Sequence, residues 1–386
     1  MPDQLPPRAE VVVDLTALQH NMVVLSGRAA ESGAATMAVV KADGYGHGAV
    51  AVAVVALRAG ASWLGVASVA EAIELRRAGI DAPVMAWLDT PGTDLSAAVA
   101  AGVHLSVSTL AQLRAVSAAA DLLGGHGAHI HLKIDTGLHR SGCPLEDWAQ
   151  LVRTAAQTGP HLHVYGIWSH LACADEPGHP SIDAQAARFR EACRIAADAG
   201  ITPTVRHLAN SAATLTRPDL HFELVRTGIA MYGLNPVPQQ ENLVPAMTFR
   251  SSVVLTRRIP AGESVSYGHT WTAPEDTNLA LVPVGYGDGV PRTLSGRMQV
   301  WLAGRRRDVV GRVCMDQLVV NLGNDTVAPG EEVVLFGTGE HGGPTATEWA
   351  ETIGTIDYEI VTGMYRPRVH RSYVGASSVA VAGGTR

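Results

Sequence analysis

Lysine is nearly absent from this chain. Of 29 basic residues only Lys41 and Lys133 are lysine, and every other cation is arginine. A guanidinium stays protonated in proteins, so side-chain chemistry that needs a neutral amine has only these two positions. Aromatic residues are also scarce, at 5% against a hydrophobic content of 47%, so Ala, Val and Leu must fill most of the interior. Four cysteines (Cys143, Cys173, Cys193, Cys314) lie far apart without a CxxC spacing. That argues against a disulfide framework or a zinc site and for a reducing, cytoplasmic setting. No uncharged apolar run reaches the roughly 18 residues a membrane span needs. The opening "MPDQLPPRAE" has no basic-then-apolar targeting signal. The formal net charge is −7, with no long single-sign block. A nucleic-acid partner held by bulk charge is therefore not expected.

What the 386 residues do contain is a change of texture. Short apolar runs recur over the first part: "TMAVVK", "WLGVAS", "PVMAWL", "HLSVS", "HIHLKID", "VYGIWSH", "VRHLAN" and "FELVRTG". Helical patterns such as "VAEAIELRRAG" and "IDAQAARFREACRIAADAG" separate most of them. Eight such runs suggest an α/β fold with a (β/α)8 TIM-type barrel over residues 10–245, a doubly wound open sheet being the alternative. Beyond about residue 245 the runs are strand-like and turn-punctuated, with "TATEWAETIG" the one helical pattern. A mainly β C-terminal domain is expected over 246–386. Residues 8–15 are a candidate extra strand for it, followed by Asp14 or Thr16 as a helix N-cap.

The stretch "VVKADGYGHGAV" places Lys41 at the C-terminal end of the first expected barrel strand. Active sites of such barrels gather at that end. Position alone leaves two readings: a Schiff-base lysine, which needs a partly neutral amine, or an ion-paired strand end. Gly44, Gly46 and Ala49 also match a G-x-G-x-x-A pattern, but the next strand lacks the acidic ribose ligand of a dinucleotide fold. A Walker A loop is excluded, since no Gly-Lys-Ser/Thr occurs. Alternating histidines in "HGAHIHLK" and "HLHV" share a strand face without acidic or cysteine partners, so no metal site is expected.

"VVKADGYGHG" closely resembles the pyridoxal-phosphate attachment signature of alanine racemases. "LKIDTGLHRSG", "WSHLACADEPGHP", "RHLANSAATL", "LVRTGIAMYG", "VSYGHTW", "VPVGYGDGVPR" and "GRVCMDQ" resemble further blocks of that family in the family's order. The resemblance implies pyridoxal 5'-phosphate as cofactor, with Lys41 as the lysine bound to it. It implies Tyr45 as a phosphate contact, and Asn210, Ser211, Gly228 and Ile229 around the phosphate. His170 resembles the histidine packed on the cofactor ring, and Arg226 the arginine facing the pyridine nitrogen. Such an arginine donates and will not accept a proton, so it weakens the electron sink and favours quick reprotonation at Cα.

Racemisation needs a base on each face of the substrate. By resemblance these are Lys41 and Tyr267, the latter from the other subunit of a homodimer with shared active sites. Arg140 resembles the arginine that holds the cofactor's phenolic oxygen and the substrate carboxylate. Lys133 resembles a family lysine that is often carbamylated (N6-carboxylysine). His139 departs from the pattern, standing where glycine is common. Met315 and Asp316 resemble residues that line the substrate side from the partner subunit, Tyr365 an inner-gate tyrosine that also reaches the phosphate, and Tyr286, Arg292 and Arg312 entryway residues. The implied activity is the interconversion of L- and D-alanine, supplying D-alanine for peptidoglycan. The rivals are a barrel-type pyridoxal amino-acid decarboxylase and a non-catalytic pyridoxal-phosphate-binding protein. No membrane partner is expected.

Overall fold

Asp14 ends the first strand and caps the first helix. Its Oδ1 accepts from the amides of Thr16 (2.7 Å) and Ala17 (3.2 Å), two of the orphan donors of helix Leu15–Ala30. The structure, a computed structural model, describes residues 7–124, 127–239 and 241–375. His126 of the first histidine cluster and residues 376–386 of the expected C-terminal domain lie outside the described residues. The chain divides into two units. One comprises Met1–Ala17, Tyr45–His47 and Val244–Ser378; the other is mainly Leu18–Gly44 and Gly48–Leu243.

After β1 (Glu10–Asp14), eight parallel strands follow: β2 (Ala35–Val39), β3 (Trp63–Val66), β4 (Val84–Ala86), β5 (Val103–Val107), β6 (Ala128–Lys133), β7 (Leu162–Trp168), β8 (Val205–His207) and β9 (Leu224–Thr227). They pair in the order β8-β7-β6-β5-β4-β3-β2-β9. Two backbone bonds, Arg226 N–H to Ala209 O (3.0 Å) and Glu223 N–H to Arg206 O (3.3 Å), join β9 back to β8. The sheet is thus a nearly closed barrel, not the open doubly wound alternative. Its strands read as continuous apolar runs because both faces are covered; all four residues of β3 are buried.

Glycine makes room for large side chains inside the barrel. A Cβ on Gly65 of β3 would lie 2.8 Å from both the Met37 sulfur and the Trp87 ring. A Cβ on Gly166 of β7 would lie 2.2 Å from His131 Nδ1. Met37, Trp63, Met85, Trp168, Val205 and Leu224 form one buried cluster there.

The other unit is built on a nine-stranded sheet. Its strands are β10 (Met247–Ser252), β11 (Leu255–Ile259), β14 (Thr277–Val282), β15 (Gln299–Leu302), β16 (Arg305–Val310), β17 (Leu318–Gly323), β18 (Glu332–Phe336) and β19 (His370–Val374), together with β1. β12 (Ser264–Val265) and β13 (Trp271–Thr272) form a separate hairpin. β1 lies between β10, antiparallel, and β19, parallel. Alternating burial along β10 and β17 gives the sheet one apolar face. Besides helix Ala346–Ile353, capped by Thr345 and Glu348, a second short helix spans Asp357–Thr362. The sequence pattern gives no sign of that helix, because six residues are too few for a helical period to emerge.

Because His131 fills the space where a Gly166 side chain would sit, Gly166→Ala should destabilise the barrel by about 1–3 kcal/mol. Thermal unfolding should show an apparent Tm lower by several degrees; an unchanged Tm would mean that the histidine can move aside freely.

Candidate active site

Lys41 opens a turn of unusual hand. Ala42, Asp43, Gly44 and Tyr45 have φ of 53°, 52°, 62° and 52°, a run of left-handed residues of which only one is glycine. Each non-glycine residue in that region costs about 1–2 kcal/mol, so the turn must be held from outside. Glu71 Oε1 accepts from Ala42 N–H (2.8 Å), and its Oε2 accepts from Ala67 and Ser68 N–H (2.8 and 3.1 Å). That carboxylate also completes the capping box of helix Val69–Arg77 with Ser68. Gly44 N–H reaches Val40 O (2.9 Å), and Asp43 accepts from Gly48 and Ala49 N–H. A Cβ on Gly44 would press within 3.2 Å of Ala49 N. The result fixes Lys41 at the carboxyl end of β2.

Burial, then the nearby Arg140, lowers the Lys41 amine, with Glu71 opposing. Lys133, at the end of β6, is shifted further, to about 8, by burial and then by Arg226 and Arg140. Its Nζ donates to Ser141 Oγ (2.5 Å) and sits 4.3 Å from the centre of the Trp168 ring. The loop between Lys133 and Arg140 closes on itself through Cys143 N–H to Lys133 O (2.8 Å) and Asp135 N–H to Cys143 O (2.9 Å). Asp135 accepts from the amides of Gly137, Leu138 and His139 and lies 3.3 Å from the His139 ring. Burial alone would raise that carboxyl; the amides of Gly137 and His139 outweigh it and hold it low. His139 has φ 55°, which explains why glycine suits the position. Its side chain is exposed and turns to Asp135, while the neighbouring Arg140 is the residue that acts electrostatically on both lysines.

Arg226 is buried, and among the described residues no carboxylate bonds to it. Its NH2 donates to Ser169 O (2.8 Å), Leu208 O (3.1 Å) and His170 Nδ1 (3.2 Å), and its NH1 to His207 Nδ1 (3.1 Å). Burial pushes it down to about 9, so it remains charged at neutral pH. Among the described residues its Nε–H has no protein acceptor. His170 is held well below the ordinary imidazole range by burial and by Arg226, Arg140, Lys133 and Lys41, and is neutral.

At the ends of β8 and β9 the backbone offers donors. Asn210 caps helix Ser211–Thr216 through Ala213 N–H (3.1 Å). Ser211 Oγ accepts from Gly228 N–H (2.8 Å) and Ala230 N–H (3.4 Å), so the Gly228 amide is already engaged in this structure. The Ile229 amide begins a 3-10 turn and has no backbone acceptor among the described residues.

The structure thus gathers Lys41, Lys133, Arg140, His170, Asn210, Ser211, Arg226, Gly228 and Ile229 at the carboxyl end of the barrel. Glu71, Asp135, Trp168 and His207 belong with them and are not apparent from the sequence. Glu71 lies in the helical pattern "VAEAIELRRAG", but nothing local indicates that its carboxylate also braces the lysine turn.

The remaining expectations fall in the other unit. Tyr45 is buried against Tyr358 (centroids 6.3 Å apart), and burial raises its phenol so that it stays protonated. Tyr267 is 71% exposed on a turn after Ser266, itself at φ 66°. A Cβ on the next residue, Gly268, would lie 2.9 Å from the Arg312 guanidinium. Met315, Tyr286 and Tyr365 are exposed as well, and Asp316 pairs with Arg368. Tyr286 N–H to Cys314 O (3.0 Å) and Gly287 N–H to Met315 O (2.8 Å) tie the first two loops together. Arg292 is exposed in a 3-10 turn. Asp288, fully buried, anchors this region by pairing with Arg8 and accepting from Gly285 N–H (3.0 Å).

Two family models match the chain: alanine racemase, N-terminal domain, over residues 13–236, and alanine racemase, C-terminal domain, over 246–373. The alanine racemase of Salinispora arenicola is 53% identical over 372 residues, covering 95% of this chain and 99% of its own. That of Thermobifida fusca is 51% identical over 95% of this chain and 98% of its own. The crystal structure of alanine racemase from D-cycloserine-producing Streptomyces lavendulae superposes with a TM-score of 0.93 at 49% identity, covering 97% of this chain and 98% of the other. Sequence blocks, barrel and lysine turn converge with these likenesses: the chain belongs to the alanine racemase family.

Proposed function

We propose that this chain interconverts L- and D-alanine with pyridoxal 5'-phosphate, using Lys41 on one face of the substrate and Tyr267 of the partner subunit on the other. The observation that carries the reading is the cluster of Lys41, Lys133, Arg140 and Arg226 at one barrel mouth, with burial and mutual repulsion lowering both amines. Such a site is built for an anionic ligand. The residues fit pyridoxal phosphate on three counts. Arg226 has an N–H left over for the ring nitrogen, the Ser211 and Ile229 region offers hydroxyl and amide donors for the phosphate, and Lys41 is an amine disposed to be neutral.

When bound, the cofactor supplies the electron sink that makes the Cα proton of alanine labile. Asn210, Ser211, Gly228, Ile229, Tyr45 and Tyr365 would hold the phosphate end, and His170 would pack against the ring. Arg226 keeps its proton and would donate to the ring nitrogen without protonating it, a setting that favours prompt return of a proton to Cα. Lys41 Nζ takes the proton of D-alanine; the Oη of the partner's Tyr267 takes that of L-alanine. In each direction the opposite base then delivers a proton on its own face, so the configuration at Cα inverts. Arg140 would hold the substrate carboxylate, with the partner's Met315 and the partner's Asp316 closing the side chain's space. The exposed Tyr267, Tyr286, Met315 and Tyr365 suit an interface between two copies. The D-alanine formed would feed peptidoglycan synthesis in the cytoplasm. Among the described residues no helix is long and apolar enough to cross a membrane.

Purified protein should carry the visible absorbance of a lysine-bound cofactor, and Lys41→Ala should abolish it; an unchanged spectrum overturns the Lys41 assignment. Tyr267→Phe should keep the cofactor but lose racemisation by about a thousandfold or more. Mixing subunits of inactive Lys41→Ala and Tyr267→Ala should restore part of the activity, and no rescue despite demonstrated subunit exchange would exclude a shared site.

Lys133 is proposed to carry a carbamate, whose negative charge would sit among the cations that now repel its amine. Only a neutral amine attacks carbon dioxide. Lowering from 10.5 to about 8 makes the neutral form accessible near neutral pH, and it dominates as pH rises through that value. With 13C-bicarbonate, a carbamate signal should grow as pH rises from 6 to above about 8 and be missing in Lys133→Met. Its absence in the unaltered protein would leave Lys133 as a plain buried amine bonded to Ser141.

A further inference from the structure

Three buried histidines run inward from Arg226. His207 Nε2 is 2.8 Å from His131 Nδ1, and His131 Nε2 is 3.1 Å from His104 Nδ1. With the Arg226 NH1 to His207 Nδ1 contact they form one chain of four groups along β9, β8, β6 and β5. Proton positions on the rings follow from the arginine, because a guanidinium can only donate. His207 must accept at Nδ1, so its proton is on Nε2. His131 must then accept at Nδ1 and carry its proton on Nε2, and His104 must do the same. No other neutral assignment satisfies all three contacts.

The rings are packed so that this order is kept. His207 stacks on Trp168 (5.6 Å, 7°), and His104 meets the edges of Trp63 (4.7 Å, 78°) and Tyr165 (4.7 Å, 88°). The absent side chain of Gly166 gives the His131 ring its place. Burial holds His131 and His207 far below the ordinary imidazole range, and takes His104 down to about 3. All three are therefore neutral at working pH. An added proton on any of them would set two donors face to face. The contacts these rings make with one another are hydrogen bonds through their nitrogens.

We propose that His104, three hydrogen bonds from the guanidinium, is a positioning residue: the terminal acceptor of a one-way relay through His131 and His207 that keeps Arg226 charged and aimed. Neutral rings linked in one direction from a cation polarise each other and spread its charge. A carboxylate in their place would also neutralise the arginine, but would bring a second buried ion and its desolvation cost. The positioning role rests on the reading of Arg226 as the partner of the cofactor's ring nitrogen; the direction of the relay does not.

Two substitutions at His104 separate hydrogen bonding from packing. His104→Phe keeps a ring against Trp63 and Tyr165 but removes the acceptor. His104→Asn removes the ring but keeps an oxygen near the place of Nδ1. If the relay matters, His104→Phe should lose about tenfold in kcat with KM little changed, and His104→Asn should stay within about threefold of the parent even if its Tm is lower. The reverse ranking overturns the proposal and makes His104 a packing residue. Long-range 1H–15N NMR of the unaltered protein gives a readout free of activity. It should place the proton on Nε2 of His104, His131 and His207; an Nδ1-protonated ring at any of them overturns the relay. A parent protein with the expected ring protonation but no alanine racemisation would overturn the activity reading and leave the relay standing.

Discussion

Clustered positive charge at one end of the barrel sets how readily the two lysines there lose their protons. Lys41, Lys133, Arg140 and Arg226 repel one another there, with Glu71 and Asp135 as the neighbouring carboxylates that oppose them on the two lysines. Repulsion and burial act in the same direction on a lysine: both disfavour its charged form. Each of the two lysines is therefore pushed toward the neutral state that nucleophilic or basic chemistry needs. The burial that weighs on Arg226 is met differently. Backbone carbonyls and histidine nitrogens surround it, so the guanidinium stays charged while its neighbours stay neutral.

Conformational strain is concentrated in the same place. Ala42, Asp43 and Tyr45 are held left-handed beside Lys41, and His139 beside Arg140. A carboxylate braces each strained segment, Glu71 at the first and Asp135 at the second, by accepting backbone amides. These bonds offset part of the strain and fix where the adjacent cation emerges. The two carboxylates serve geometry and electrostatics together, since each also lies near the lysine it helps to position.

Much of the fold was legible along the chain. Parallel strands buried on both faces must be apolar throughout, and helices between them must be amphipathic, so eight alternations speak for a barrel. The two lysines were legible for a chemical reason: arginine replaces lysine wherever only charge is needed. Other features escaped for equally physical reasons. The short helix Asp357–Thr362 is less than two turns and leaves no period. Alternating histidines in β6 share a face, but the hydrogen-bond partners of His131 come from β5 and β8, far away in sequence.

The sequence by itself determined which residues have the necessary chemistry. Lys41 and Lys133 are the only amine side chains, and Lys41, Lys133 and Arg226 stand at or near the ends of apolar runs. Tertiary structure alone decided how that chemistry is tuned. Whether an amine sits near 10 or near 8, and whether an imidazole is neutral or charged, depends on burial and on cations brought from other strands. Those distances arise only when the sheet closes on itself. A residue's capacity to react is local, but its tendency to do so is set by neighbours that are remote in the chain.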